Sequence, residues 1–153
     1  MIRRVSTPAA LDCTCGRLRM LARRLTRIYD AHLAGEDIKV TQYSLLVRIS
    51  RGEKTLSELA LAMDMERTTL TRNLAPLEAQ GWVKTRPGED PRSCMVGITA
   101  AGKRKLEAVL PLWRRAQREV ETVLGESRVG SLHQEVDRAL AALPTETPQG
   151  SRT

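Results

Sequence analysis

Thr55-Leu56-Ser57-Glu58-Leu59-Ala60 and, after a short gap, Arg67-Thr68-Thr69-Leu70-Thr71-Arg72-Asn73-Leu74 are the stretches whose reading decides the fold. In the first, Thr55 and Glu58 form a capping box, each side chain satisfying a free backbone N–H at the other's position. It opens a short helix that buries Leu56, Leu59, Ala60 and Met63. Asp64-Met65 then reads as a tight turn. On the helix that follows, Leu70, Leu74 and Leu77 recur at i, i+4, i+7, with Thr68, Thr71, Arg72 and Ala75 on the opposite side. Small hydroxyls and an arginine can approach base edges and phosphates in a major groove, where bulkier charged side chains would hold the helix out. Taken alone, the stretch is equally an ordinary polar surface.

The flanking sequence narrows the choice. Gly81 ends this helix as a left-handed cap. Trp82–Arg86 and Ser93–Ile98 read as two short strands around the turn-rich Pro87–Arg92. Helix, turn, helix and a β-hairpin with Arg92 at its tip make a winged helix-turn-helix, in which helix and hairpin engage one duplex together. Upstream, Val40–Ser50 is a helix with Leu45, Leu46 and Ile49 inward, and Arg51-Gly52-Glu53-Lys54 is a polar turn. The DNA-binding core therefore spans about 38–99.

The remaining helices exceed what that core needs. Residues 8–34 carry Leu18, Leu21, Ala22, Leu25, Ile28, Tyr29 and Leu33 along one face, until Gly35-Glu36-Asp37 breaks the helix. Arg17, Arg19, Arg23, Arg24 and Arg27 occupy the other side and read as a solvated face. Thr99 caps a helix running to Leu124, Gly125 stops it, and a last helix covers about 127–143. Burying the apolar sides of 8–34 and 100–143 against a second copy would give a twofold homodimer, with two reading helices about one duplex turn apart over a palindromic target. Packing on their own domain is the alternative. Residues 144–153 have the composition of a disordered tail. The whole chain is thus expected to be a single domain, mainly α with a small β-hairpin wing.

Composition agrees. The chain has 153 residues, a net charge of +7 and a pI near 9.9, which favours an anionic partner. No run approaches the ~18 apolar residues of a membrane span, and no apolar stretch follows Met1–Pro8, so a cytoplasmic protein without membrane association is expected. With no Phe, two Trp and two Tyr, the chain lacks the aromatic platforms of single-strand readers. Cys13, Cys15 and Cys94 form neither a disulfide framework nor, with His32 and His133 distant in sequence, a metal site. No phosphate loop, metal cluster or GxSxG motif suggests an enzyme or a cofactor. A winged-helix adaptor that has lost DNA contact and a nonspecific nucleoid protein are the rival classes.

These strings, together with Leu77–Val83, Asp90-Pro91-Arg92 and Ile98–Gly102, resemble the multiple antibiotic resistance regulator (MarR) family of bacterial transcription factors in order and spacing over about 10–143. The resemblance implies a homodimeric winged-helix repressor, less often an activator, that leaves its pseudo-palindromic operator on meeting a small molecule or an oxidant. It places Arg67, Thr68, Thr69, Thr71 and Arg72 on the recognition helix. Arg92 becomes the wing-tip arginine of the minor groove, with Asp90 orienting it. Three features depart from the pattern: Glu66 is a weak cap, Pro76 and Pro111 lie inside helices that each should bend, and the wing tip carries a single arginine.

Two sensing routes are open. If Asp12 caps a helix, Cys13 and Cys15 lie in its first turn beside Arg17 and Arg19, a setting that favours thiol chemistry. If Thr7-Pro8 starts it, both lie mid-helix, and residues i and i+2 point apart there. The resemblance also implies a small phenolic or aromatic effector, for which Tyr29, His32, Tyr43 and Trp113 are the candidate pocket residues.

Overall fold

A computed structural model describes residues 13–90 and 92–144. Its elements are α1 (Thr14–Leu33), a 3-10 turn (Ala34–Glu36), α2 (Val40–Ser50), β1 (Lys54–Thr55), α3 (Leu56–Ala62), α4 (Arg67–Ala79), β2 (Val83–Pro87), β3 (Cys94–Ile98), α5 (Ala100–Leu124) and α6 (Glu126–Ala142). The expected mainly helical winged fold is observed.

Local chemistry sets the boundaries. The Thr55 hydroxyl accepts the Glu58 N–H at 3.1 Å, and the Glu58 carboxylate accepts the Thr55 N–H at 2.7 Å, so the capping box is complete. Glu58 has its carboxyl held below the ordinary range, because the Thr55 backbone N–H and then its hydroxyl favour the charged form. Thr99 caps α5 by accepting the Gly102 N–H at 3.0 Å. Glu66, as its residue type suggested, caps α4 with no side-chain bond. Gly81 (φ 68°) follows α4 in the left-handed conformation, and Asp37 (φ 49°) and Asp64 (φ 51°) turn the chain in the same region. Both α4 and α5 run on through Pro76 and Pro111.

Two boundaries differ from the reading of the sequence. The supposed polar turn ends at Glu53, and Lys54-Thr55 is a strand that pairs antiparallel with Val96 and Met95. The wing is therefore a three-stranded sheet in the order β1-β3-β2, with Val83 opposite Ile98 and Pro87 opposite Cys94. Helix α1 begins at Thr14 with Cys13 as its cap. Asp12, the stretch 8–12 and the tail 145–153 lie outside the described residues.

The core sits where α2, α3, α4, the sheet and the start of α5 converge. Leu33, Leu46, Ile49, Leu59, Leu70, Leu77, Val96 and Val109 are fully buried there, each worth about 1.5–3 kcal/mol of transfer free energy. At the far end, where α1, α5 and α6 meet, large apolar side chains stay exposed: Leu18 at 49%, Val123 at 70% and Leu140 at 59%. No helix among the described residues is long and apolar enough to cross a membrane.

Candidate nucleic-acid interface

Burying Leu70, Leu74 and Leu77 fixes the rotation of α4. Arg67, Thr68, Thr69, Thr71, Arg72 and Asn73 are consequently all exposed. The Thr71 hydroxyl donates to the Arg67 carbonyl at 2.8 Å, which orients it along the helix and leaves its lone pairs outward. The Asn73 amide donates to the Met65 sulfur at 3.7 Å, linking α4 to the turn before it. The result is a 13-residue helix with a basic, hydroxyl-rich face and no carboxylate between Arg67 and Pro76.

At the wing tip, the Arg92 N–H donates to the Asp90 carboxylate at 2.8 Å, while the Ser93 N–H and hydroxyl both donate to the Asp90 carbonyl at 2.8 Å. Asp90 thus fixes the backbone that carries Arg92, and the Arg92 side chain is exposed. Across this turn the Gly88 N–H donates to the Ser93 carbonyl at 2.9 Å. A Cβ at Gly88 would lie 1.9 Å from the Ser93 hydroxyl, which accounts for glycine at the start of the tip. Pro91 lies outside the described residues.

One pair in the wing escaped the sequence reading. Arg86 on β2 donates to the Glu53 carboxylate at 2.5 Å. The guanidinium holds Glu53 below the usual carboxylate range and is itself raised by it. Thirty-three positions separate the two, so no local pattern signals the contact.

The effector residues divide. Trp113 packs between Tyr29 and Tyr43, with ring centroids 6.2 Å and 6.3 Å away. Burial raises both phenols above their ordinary value, and the Tyr29 hydroxyl donates to Gln117. Tyr43 and Trp113 line an open cleft of about 420 Å³ with Arg48 and Arg51. Tyr29 faces a larger groove of about 970 Å³ between α1, α5 and α6, into which the same two arginines reach. His32 stands apart and contacts the Glu119 carboxylate at 2.6 Å.

Both N-terminal cysteines are exposed. Cys13 has extended backbone outside the helix, its sulfur accepting the Gly16 N–H at 3.5 Å, and Cys15 lies in the first turn. Cys94 begins β3 and is half-buried.

Residues 36–93 match the model of the MarR family. A solved transcriptional regulator of M. tuberculosis, MosR in complex with DNA, is 36% identical, with a TM-score of 0.70 over 83% of this chain and 98% of its own. A mutant MarR from E. coli complexed with operator DNA superposes with a TM-score of 0.78 at 26% identity, over 88% of this chain and 99% of that one. Among curated proteins, an uncharacterized HTH-type transcriptional regulator of Bacillus subtilis, YwoH, is 34% identical over 70 residues, 45% of this chain and 51% of its own. The matched region spans between 51% and 65% of the lengths of the curated relatives. These relatives are transcriptional regulators and not enzymes, and with the winged fold they identify this chain as a member of the MarR family.

Proposed function

We propose that this chain is a cytoplasmic, homodimeric transcriptional repressor that binds a pseudo-palindromic double-stranded operator and is released by a small aromatic or phenolic effector. The single observation that carries the reading is the face of α4, where Arg67, Thr68, Thr69, Thr71 and Arg72 are exposed together over a buried Leu70–Leu74–Leu77 row. Such a face can enter a major groove, with Arg72 reaching base edges or phosphate and Arg92 lying along the adjacent minor groove. That MosR and MarR were solved on DNA supports the same use of α4 here. In domain terms, 38–99 reads DNA while the outer helices 8–34 and 100–143 dimerise, a role supported by the exposed Leu18, Val123 and Leu140.

For the effector, Tyr43 and Trp113 would offer apolar faces beside Arg48 and Arg51, a pairing suited to an aromatic carboxylate. Tyr29 would back Trp113 from the neighbouring groove, and His32, held by Glu119, would take no part.

The test is fluorescence anisotropy on duplexes enriched from a random pool, against scrambled duplexes, at about physiological salt. Selective binding lost in Arg72→Ala supports the repressor reading. Equal, weak binding to all duplexes by both proteins overturns it in favour of an adaptor or nucleoid protein.

A second reading, a redox-sensing regulator of the same fold, is favoured by one observation. Cys13 lies outside the helix, so the divergence of i and i+2 side chains within a helix does not separate it from Cys15. Oxidation would remove two protons and two electrons from the thiols to form one disulfide, with hydrogen peroxide reduced to two waters. The new bond would draw the Cys13 sulfur off the Gly16 N–H. Loss of DNA binding on peroxide treatment, reversed by dithiothreitol and absent in Cys15→Ser, would establish it.

A further inference from the structure

The Lys105 ammonium on α5 joins three parts of the molecule at one point. It donates to the Glu36 carboxylate at 2.9 Å and to the Glu36 carbonyl at 3.0 Å, in the turn between α1 and α2. It also sits 5.1 Å above the Trp82 ring centroid, at the exit of α4. The Lys105 side chain is only 20% exposed, so its charge is partly desolvated and these contacts are stronger than surface ones.

The backbone under that indole is clamped as well. The Thr99 hydroxyl lies 2.6 Å from the Gly81 carbonyl and 3.1 Å from that of Trp82, whose oxygen also accepts the Thr99 N–H at 3.0 Å. Gly102 is pressed so closely beneath it that a Cβ would fall 2.1 Å from the Trp82 oxygen. Gly81-Trp82 is thus held to the first turns of α5 by its backbone, and by Lys105 through its side chain.

We infer that Lys105 is a positioning residue that sets the angle between the reading helix and the dimerising helices, and so fixes the half-site spacing the dimer accepts. This rests on the dimeric, DNA-reading function proposed above. A twofold dimer converts the tilt of α4 against α5 into the distance between its two reading helices. Thr99 and Gly102 hold Gly81-Trp82 to α5 at two adjacent backbone positions. Lys105 adds a third tie, joining the Trp82 ring at the exit of α4 to Glu36 in the turn between α1 and α2.

The test uses the full chain and duplexes with two inverted half-sites whose separation is varied by one and two base pairs. Wild type should prefer its own spacing by roughly tenfold or more. Lys105→Met retains the aliphatic stem without the charge, and Glu36→Gln retains the partner's shape. Both should flatten the preference to about threefold or less, with isolated half-site affinity and dimerisation unchanged. Lys105→Arg, able to pair and to stack, should restore it. Undiminished spacing discrimination in Lys105→Met and Glu36→Gln, or a uniform loss of affinity at every spacing, would overturn the inference and leave the repressor reading intact. Absence of sequence-selective binding in wild type would overturn both.

Discussion

Glu53 lies across the face of Gly97 and grips Arg86 on the neighbouring strand at 2.5 Å. A Cβ at Gly97 would come within 2.8 Å of the Glu53 carboxylate, so the glycine makes room for the pair. Exposed ion pairs stabilise little, which directs attention to what this one withholds: a wing arginine whose charge is neutralised. Glu53→Gln should release Arg86 toward phosphate, raising DNA affinity with little regard to sequence and steepening the log K–log salt slope by about 0.9. The pH dependence has a definite sign. Because Arg86 depresses the Glu53 carboxyl in the folded state, any stability from the pair is present above the ordinary value of 4.5 and is lost as pH falls through the lower, folded value. The Tm difference between wild type and Glu53→Gln should therefore be small and constant above 4.5 and disappear in stronger acid.

Arg72 and Arg92 should fail differently. Arg72 lies on the exposed face of α4 that is proposed to read DNA, so Arg72→Ala should cost about 1–3 kcal/mol on the selected operator and relax its preference at one base position. Arg92 sits on a tip whose backbone is fixed by Asp90. Its loss should lower affinity for all duplexes, reduce the salt slope by about 0.9 and flatten any preference for A·T-rich flanks. Anisotropy titrations over a salt series separate the two patterns, and identical behaviour in the two variants would refute the division of roles.

How far the sequence carried this depends on the range over which each interaction acts. The box at Thr55 and Glu58, the left-handed Gly81 and the leucine row of α4 are local, and each was legible within a few residues. The strand Lys54-Thr55 was not, since two residues have no periodicity and its partners lie about forty positions on, at Val96 and Met95. The same holds for Glu53 with Arg86, and for Lys105, whose partner Glu36 is 69 positions away. Of the four aromatic and histidine candidates, three did converge, because Trp113 packs between the two tyrosines. His32 pointed elsewhere because Glu119 captured it.

Gly102 gives a prediction about stability. Its Cα faces the Trp82 carbonyl, a backbone atom already held by Thr99, and a methyl group there would sit at 2.1 Å. Neither side can yield without opening the junction of α5 with the winged core. Gly102→Ala should cost about 1–3 kcal/mol, at roughly 2–4 °C of Tm per kcal/mol for a chain of this size. Gly130, with nothing within 4 Å of its Cβ position, is the matched control. Gly130→Ala should leave Tm unchanged or slightly raised, since alanine favours the helix. Differential scanning calorimetry of the two variants decides the matter.

The strongest demand on the dimer reading comes from the outer helices. Val136 and Leu140 continue the row of α6 that includes Val129 and Leu132, which face the groove against α1 and α5. In a lone chain Leu140 is 59% exposed and Val123 is 70% exposed, and apolar side chains gathered on one end of a molecule mark an interaction surface. A second copy would remove them from water and could not tolerate an unpaired charge among them. Leu140→Glu should therefore yield monomers at micromolar concentration in sedimentation equilibrium, with helical content nearly unchanged. Leu61, 72% exposed on α3 and remote from that groove, provides the contrast: Leu61→Glu should remain dimeric. Were both variants to dimerise like wild type, the interface would have to lie elsewhere, and the assignment of dimerisation to the outer helices would be overturned.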